Sequence, residues 1–495
     1  MDNTKCPTSR ALFLVCVWLT FKNDFYLNNQ FFLDSHHFEK KRVSFISHHS
    51  PTVILWAYED EIKAFKEDER CMYLEPFCNI YTEKLSEKTL KIMGADSLTG
   101  TNSRGFSGDG QVFGMISAER EIFHSDSPQL RDALDSGRIN VIPYPVPPIP
   151  ALHPSVVLCE IIGGSVSVGT STFRGMADQS SVIFCTSETA IDVLYTVEFF
   201  IDIGIRIINF SAGFSSGGKY TAFDRIIDYL IEEGNLLFVT ASGNRRDVTS
   251  PGIAFNVLSV GNLQTNAAPD TPSSPPFSSY CTSSSACSAF TDNENTTIVH
   301  KPDVVAPGTF MPYVTPLNTV YYNNTGTSFA CPWVTGVALQ LFAINPAFSY
   351  LEIKAIIALS CNRRIISSAD NPTLDSEVFA KERTGFGLVS SDLAIQTALE
   401  GRVREYTGSF SETFELFRGD TLYASVCYNK SPERQDEYVN LRLAAQGVVI
   451  TSDRENQNLH VVEYTAEEST SVTLTAYGST IKFAIALLII RKDGI

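Results

Sequence analysis

The sequence predicts an α/β domain whose mostly parallel sheet is flanked by helices, followed by a separate C-terminal all-β sandwich. Three observations predict it. Between residues 95 and 400, short apolar runs alternate with amphipathic helical stretches, as in a parallel sheet covered by helices. Beyond residue 405, strand-spaced alternation broken by polar turns replaces the helical period. The chain has 495 residues, and single cores stop growing at about 250 to 300 residues, so more than one domain is the default expectation.

In the first region QVFGMI, SVIFC, IRIINF, NLLFVTA and NVLSVG read as strands, while SETAIDVLYTVEFFIDIG, FDRIIDYLIEEG and PWVTGVALQLFAI read as helices. Ligands of such a sheet sit at the carboxyl ends of its strands. In the second region TLYASVCYN, VNLRLAAQG, HVVEYTA, SVTLTAY and IKFAIALLII have strand spacing. Residues 1 to 90 form a leader that reads as charged and irregular from residue 22, apart from a helix at EDEIKAFKEDER. Its role as a signal or pro-segment is open. Its apolar run ALFLVCVWLTF has the length of a signal-peptide core and is too short to span a bilayer; the other reading is a buried strand or helix. A signal core would imply a secreted, endomembrane or surface location. The doublets His36-His37 and His48-His49 have no partner carboxylate in sequence and read as solvated.

The formal net charge of −17 repels phosphate backbones and anionic head groups, so nucleic acid is excluded as a partner, and no stretch predicts a stable membrane span. The eleven cysteines are an odd number, and Cys159, Cys185, Cys331 and Cys361 sit singly in apolar surroundings, as buried thiols do. Cys71/Cys78 and Cys281/Cys287 are close enough to bridge loops in an oxidising compartment, but neither pair has the second pair that a zinc site needs. No metal site is placed.

The chemistry concentrates in three stretches. In NNTGTSFACPWVTG, Gly326 and Thr327 make a tight turn before Ser328, and Pro332 is expected in the first turn of the helix that follows. A serine there meets free N–H groups and a positive dipole end, which suits a nucleophile whose attack creates an oxyanion. In VTASGN a strand ends at Ala241, Ser242 and Gly243 and presents Asn244, whose side-chain amide can donate to that oxyanion; alone it would read as a turn asparagine. In LHPSVVLCEIIGG, His153 precedes Pro154 at a helix start, and a general base must come from one of only eight histidines.

Together these stretches resemble the subtilisin family of serine peptidases. The serine motif Gly-Thr-Ser-x-Ala-x-Pro-x-Val-x-Gly is matched at Gly326, Thr327, Ser328, Ala330, Pro332, Val334 and Gly336, and KPDVVAPG is similar to the segment that precedes it. The histidine motif is matched at His153, Val157, Ile161 and Gly163, with departures at Pro154, Leu158, Cys159 and Glu160. INFSAG is similar to the substrate-binding strand, so Ser211, Ala212 and Gly213 would pair with an extended peptide, with Ala241, Ser242 and Gly243 walling the pocket beside it. The resemblance implies a subtilisin-like fold, peptide-bond hydrolysis by a Ser328–His153 pair with Asn244 as oxyanion donor, and protein or peptide substrates in extended conformation. It implies no organic cofactor. Calcium is frequent in the family, although no loop here places it.

One part of the family pattern is missing. GDGQVFGMISAE aligns with the aspartate motif through Gly108, Gly110 and Ile116, which puts Ser117 where the triad acid belongs. A hydroxyl can accept the histidine N–H but cannot stabilise the imidazolium. In subtilisin itself, loss of the acid alone costs about 3 × 10⁴ in rate. If the strand continues, Glu119 lies on the face of Ser117, roughly 6 to 7 Å further along; Glu121 and Asp126 are further substitutes. Two rivals follow. One is a weak or inactive pseudopeptidase that binds extended peptides. The other is an esterase using GFSSG, Gly213 to Gly217, as a nucleophile elbow around Ser215.

Overall fold

The computed structural model describes residues 12–19, 25–36, 38, 42–76, 93, 106–169, 171–244, 247–265, 272–273, 299–362, 384–431, 437–452 and 457–492. The leader is not irregular. Strand Leu12–Leu19, helix α1 (Phe25–Ser35), strands Val43–Ile46 and Thr52–Tyr58, helix α2 (Glu59–Glu67) and strand Cys71–Pro76 build a β-α-β-β-α-β unit. Leu12–Leu19 is a central strand, antiparallel to Thr52–Tyr58 on one side and to Cys71–Pro76 on the other. The run left open between a signal core and a buried strand or helix is a strand. Thr52–Tyr58 is buried almost throughout, so it lacks the alternation that marks a half-exposed strand.

One face of this sheet covers α5 (Ala190–Asp202) and α6 (Ala222–Gly234), which follow the short α3 (Arg131–Asp135) and α4 (Leu152–Ile162). The buried Glu198 carboxylate accepts the N–H groups of His48 (3.1 Å) and His49 (3.3 Å) and the Ser47 hydroxyl. The His49 ring meets Asp202 at 2.8 Å, and Trp18 packs edge-on against Tyr229 at 5.4 Å. Of the histidines read as solvated, His49 and His36, the latter 2.9 Å from Asp68, thus meet carboxylates distant in sequence, the His48 ring stacks on Tyr26, and His37 lies outside the described residues.

The central sheet runs, edge to edge, Cys361–Asn362, Leu388–Val389, Val304–Pro307, Leu258–Thr265, Leu237–Ala241, Ile207–Phe210, Val112–Ser117, Ser181–Thr186, Ile139–Val141. Every pairing along it is parallel except the first. This is the predicted parallel α/β sheet, with α5 and α6 where the sequence placed them. Helices α7 (Thr327–Ile344), α8 (Tyr350–Leu359) and α9 (Ser391–Glu400) complete the central region. α7 is apolar and long enough to cross a bilayer, but 89% of it is buried in the core.

The C-terminal region consists of two four-stranded antiparallel sheets, consistent with the predicted sandwich. Lys482–Ile490, the FAIALLII strand, faces the opposite sheet on one side and α8 on the other, which explains its unbroken apolar run. Cys16, Cys159, Cys185, Cys331 and Cys427 are buried thiols. Cys78, Cys281 and Cys287 lie outside the described residues.

Two carboxylates of α6 are buried outright. Asp224 accepts the Ser250 hydroxyl (2.6 Å) and the Thr221 N–H (2.7 Å), while Asp228 accepts the N–H groups of Asn256 (2.6 Å) and Phe255 (3.0 Å) and the Tyr220 hydroxyl (2.9 Å). Burial outweighs these bonds and pushes Asp224 up to about 6 and Asp228 up to about 7. A carboxyl with a raised folded pKa binds its proton more tightly when folded. Its contribution to stability is full below the unfolded value, about 4, and is lost as pH rises through the folded value. Asp228→Asn, neutral at every pH, is expected to flatten the decline of Tm between pH 4 and 7; an unchanged slope would contradict the assignment.

Candidate active site

Parallel strands bring their carboxyl ends to one edge, and three candidate segments lie there. Ser117 ends Val112–Ser117, Ser211 to Gly213 follow Ile207–Phe210, and Ser242 to Asn244 follow Leu237–Ala241. α7 starts against this edge with Ser328 as its second residue and α4 lies beside it with His153 as its second residue. The His153 ring packs edge-to-face on Phe329, centroids 5.0 Å apart at 82°, which puts the imidazole beside the residue that follows Ser328.

The entry to α7 is held by close backbone approach. Gly326 N–H donates to the Gly308 carbonyl at 2.8 Å. A Cβ on Gly308 would stand 2.5 Å from the Gly326 oxygen and 2.9 Å from the Ala330 nitrogen, so only glycine fits. Pro332 is not in the first turn as the sequence suggested, but is the sixth residue of the helix. It therefore removes a real helical bond, the one its N–H would have made to the Ser328 carbonyl four residues back. The buried Asn209 carboxamide ties the helix to the sheet: its oxygen accepts Thr335 Oγ1 (2.9 Å) and Cys331 Sγ (3.3 Å), and its nitrogen donates to Ser211 Oγ (3.0 Å). Burial pushes the Cys331 thiol up to about 12, so it stays a protonated, inert packing group.

Asn244 is oriented by Thr327. Its Oδ1 accepts the Thr327 N–H at 2.7 Å and the Thr327 hydroxyl at 3.1 Å, and that hydroxyl accepts Gly243 N–H at 3.1 Å. A backbone N–H can only donate, so the atom facing it must be the amide oxygen, and Nδ2 points away from the clamp. Neither Asn244 Nδ2 nor the Ser328 N–H has an acceptor among the described residues. The sequence reading gave Thr327 only a place in a turn and gave Asn209 no role.

Ser211, Ala212, Ala241 and Ser242 are buried, and Gly213 and Gly243 are half-buried. The two segments are joined by Thr249 and Ser250: Thr249 N–H donates to the Ser242 carbonyl (3.0 Å), and Phe214 and Ser250 exchange backbone bonds of 2.6 and 2.9 Å. A Cβ on Gly213 would stand 2.2 Å from Thr249 Oγ1, so Gly213 is required by this neighbour.

Ser117 is buried. Its carbonyl accepts Ser187 N–H at 2.7 Å, while its Oγ, like that of its register neighbour Thr186, has no hydrogen-bond partner among the described residues. Glu119 does not share its face. The strand stops at Ser117, residues 119 and 120 turn through φ of 57° and 56°, and Glu119 is exposed. Glu121 lies in the next strand, Glu121–Ile122, and Asp126 in an exposed turn. The esterase reading fails on geometry. An elbow needs a helix directly after the nucleophile, whereas Ser215 lies in a loop that ends only at Ala222.

This sheet and these helices define a subtilisin-like fold. The subtilase family model matches residues 160–386, so that part of the chain is similar to the subtilases, a family of serine peptidases. The match contains Asn244 and Ser328 and begins after Ser117 and His153. Among solved structures, fervidolysin from Fervidobacterium pennivorans, a keratinolytic enzyme related to subtilisin, is similar at 14% identity and a TM-score of 0.54, covering 93% of this chain and 69% of that one. That likeness is one of fold. The prenylagaramide maturation protease PagA is 20% identical, with a TM-score of 0.44 over 59% of this chain and 94% of that one.

Proposed function

We propose that the chain is a serine endopeptidase of subtilisin type that works without the usual triad aspartate. Ser328 Oγ attacks the scissile carbonyl, His153 takes its proton and passes it to the leaving amine, and water then releases the acyl group by the same route. Asn244 Nδ2 and the Ser328 N–H hold the oxyanion. The observation that carries this reading is the Thr327 clamp, which turns the Asn244 amide away from its anchored oxygen one residue before the nucleophile. Ser211 to Gly213 would receive an extended peptide by strand addition. The leader, seated on α5 and α6, would act as a pro-segment. Among the described residues no group of three or more His, Cys, Asp or Glu side chains could hold a metal, so a calcium site is not assigned.

A second reading, a pseudopeptidase that holds extended peptides without cutting them, is favoured by the uncharged Ser117. A fluorophosphonate probe with the full chain separates the two. Labelling that disappears in Ser328→Ala supports the peptidase; folded protein that binds peptide but never labels supports the binder. In steady-state peptide hydrolysis Thr327→Val, which keeps the backbone bond to Asn244 and loses both hydroxyl bonds, is expected to lower kcat about tenfold with little change in KM, the worth of a hydrogen bond of about 1 to 1.5 kcal/mol. A rise in KM at constant kcat would show that Thr327 serves substrate binding instead.

A further inference from the structure

The loop 249–257 is one folded unit that touches the candidate site at one end and the β-sandwich at the other. Ile253 N–H bonds to the Thr249 carbonyl (3.2 Å) and Ala254 N–H to that of Pro251 (2.9 Å). At its first end, Thr249 bonds to Ser242 and crowds Gly213, and Ser250 pairs with Phe214. Along its length the loop is gripped from both sides. The α6 carboxylates Asp224 and Asp228 take the Ser250 hydroxyl and the Phe255 and Asn256 N–H groups. Two buried ammonium groups take the carbonyls: Lys354 those of Asn256 and Val257 (3.0 Å each), Lys301 those of Phe255 (3.4 Å) and Val257 (3.3 Å). Lys301 is balanced by Asp303 at 2.8 Å.

At its far end the Asn256 side chain, 1% exposed, crosses into the sandwich. Its Oδ1 accepts the Lys430 N–H at 3.0 Å and Asn458 Nδ2 at 3.1 Å, and its own Nδ2 donates back to the Asp228 carbonyl at 3.2 Å. The seam beside it is also buried and bonded: Ser425 Oγ donates to the Ala355 carbonyl at 2.6 Å, and Tyr350 bonds to Asn429. A module tethered only to carry a separate binding function would not need its backbone and side chains bonded to the inside of a catalytic-domain loop, since independent domains meet through modest polar surfaces.

We propose that the β-sandwich is a working part of the peptidase site and that Asn256 is the positioning residue through which it acts. Sandwich residues 430 and 458 fix Asn256, Asn256 and the buried Asp224, Asp228, Lys301 and Lys354 fix the loop, and the loop sets Ser242 and Gly213, in the two segments beside the candidate oxyanion donor. This rests on the reading of residues 211–213 and 244 as substrate and oxyanion contacts. The effect belongs to kcat, because a misplacement of about 1 Å can cost up to about 10²-fold in rate.

The test removes the donor from the sandwich side. In the full chain, Asn458→Leu is expected to lower kcat about tenfold with KM within about twofold, and to speed amide hydrogen exchange at Ser242, Thr249 and Ser250. Leu474→Ala, a cavity in the sandwich core away from the seam, is expected to lower Tm while leaving both readouts unchanged below the transition. Asn458→Ser keeps a polar group at the position and serves if the leucine variant does not fold. Equal effects of Asn458→Leu and Leu474→Ala, or unchanged exchange at residues 242–250 in the Asn458 variant, would overturn the proposal. The exchange measurement needs no turnover, so it decides the coupling even if the chain proves to be a peptide binder.

Discussion

Replacing Ser117 with aspartate is expected to raise kcat by up to about 3 × 10⁴-fold, the factor the triad acid supplies in subtilisin. Ser117 closes a strand at the sheet edge that carries the other candidate groups, and its Oγ has no hydrogen-bond partner among the described residues to lose. A carboxylate there would stabilise the imidazolium that forms on His153 during attack, which a neutral hydroxyl cannot do. Steady-state hydrolysis of a peptide substrate by the two proteins measures the gain. Unchanged or lower kcat in a folded Ser117→Asp variant would mean that another carboxylate already serves the base, or that residue 117 does not face it.

The second large effect depends on that background. In subtilisin, losing the serine or the histidine costs about 2 × 10⁶, so a site already short of its acid by about 3 × 10⁴ retains only about 10² for the Ser–His pair to lose. Ser328→Ala is therefore expected to cost about 10²-fold in the native chain and about 10⁶-fold in the Ser117→Asp chain. Such non-additivity marks groups that act as one unit. Equal losses in the two backgrounds would show that residues 117 and 328 are not coupled.

Much of this was legible in the sequence because it lies in local pattern. The strands from Val112 to Leu258 and helices α5 and α6 carry their own periodicity, and the residues around Ser328 sit at fixed spacings on one turn and helix. The leader was misread because the described side chains of its two central strands, Leu12–Leu19 and Thr52–Tyr58, are buried almost throughout, leaving no alternation, and because the partners of His36 and His49 are 32 and 153 residues away in sequence. A signal was present in TVILWAY, in which five of seven consecutive residues are of strand-forming type, before a capped helix. Glu119 was misjudged because two successive left-handed residues, neither of them glycine, end a strand that the alternation would have continued. The roles of Thr327, Asn209 and Asn256 are contacts between segments far apart in sequence, which spacing does not reveal.

The most direct measurement is a crystal structure of the full chain after reaction with a fluorophosphonate. The account predicts phosphorus on Ser328 Oγ, the phosphoryl oxygen between Asn244 Nδ2 and the Ser328 N–H, and the His153 ring within hydrogen-bond reach of the adduct. An adduct on another residue, or an imidazole of His153 far from the phosphorus, would contradict it.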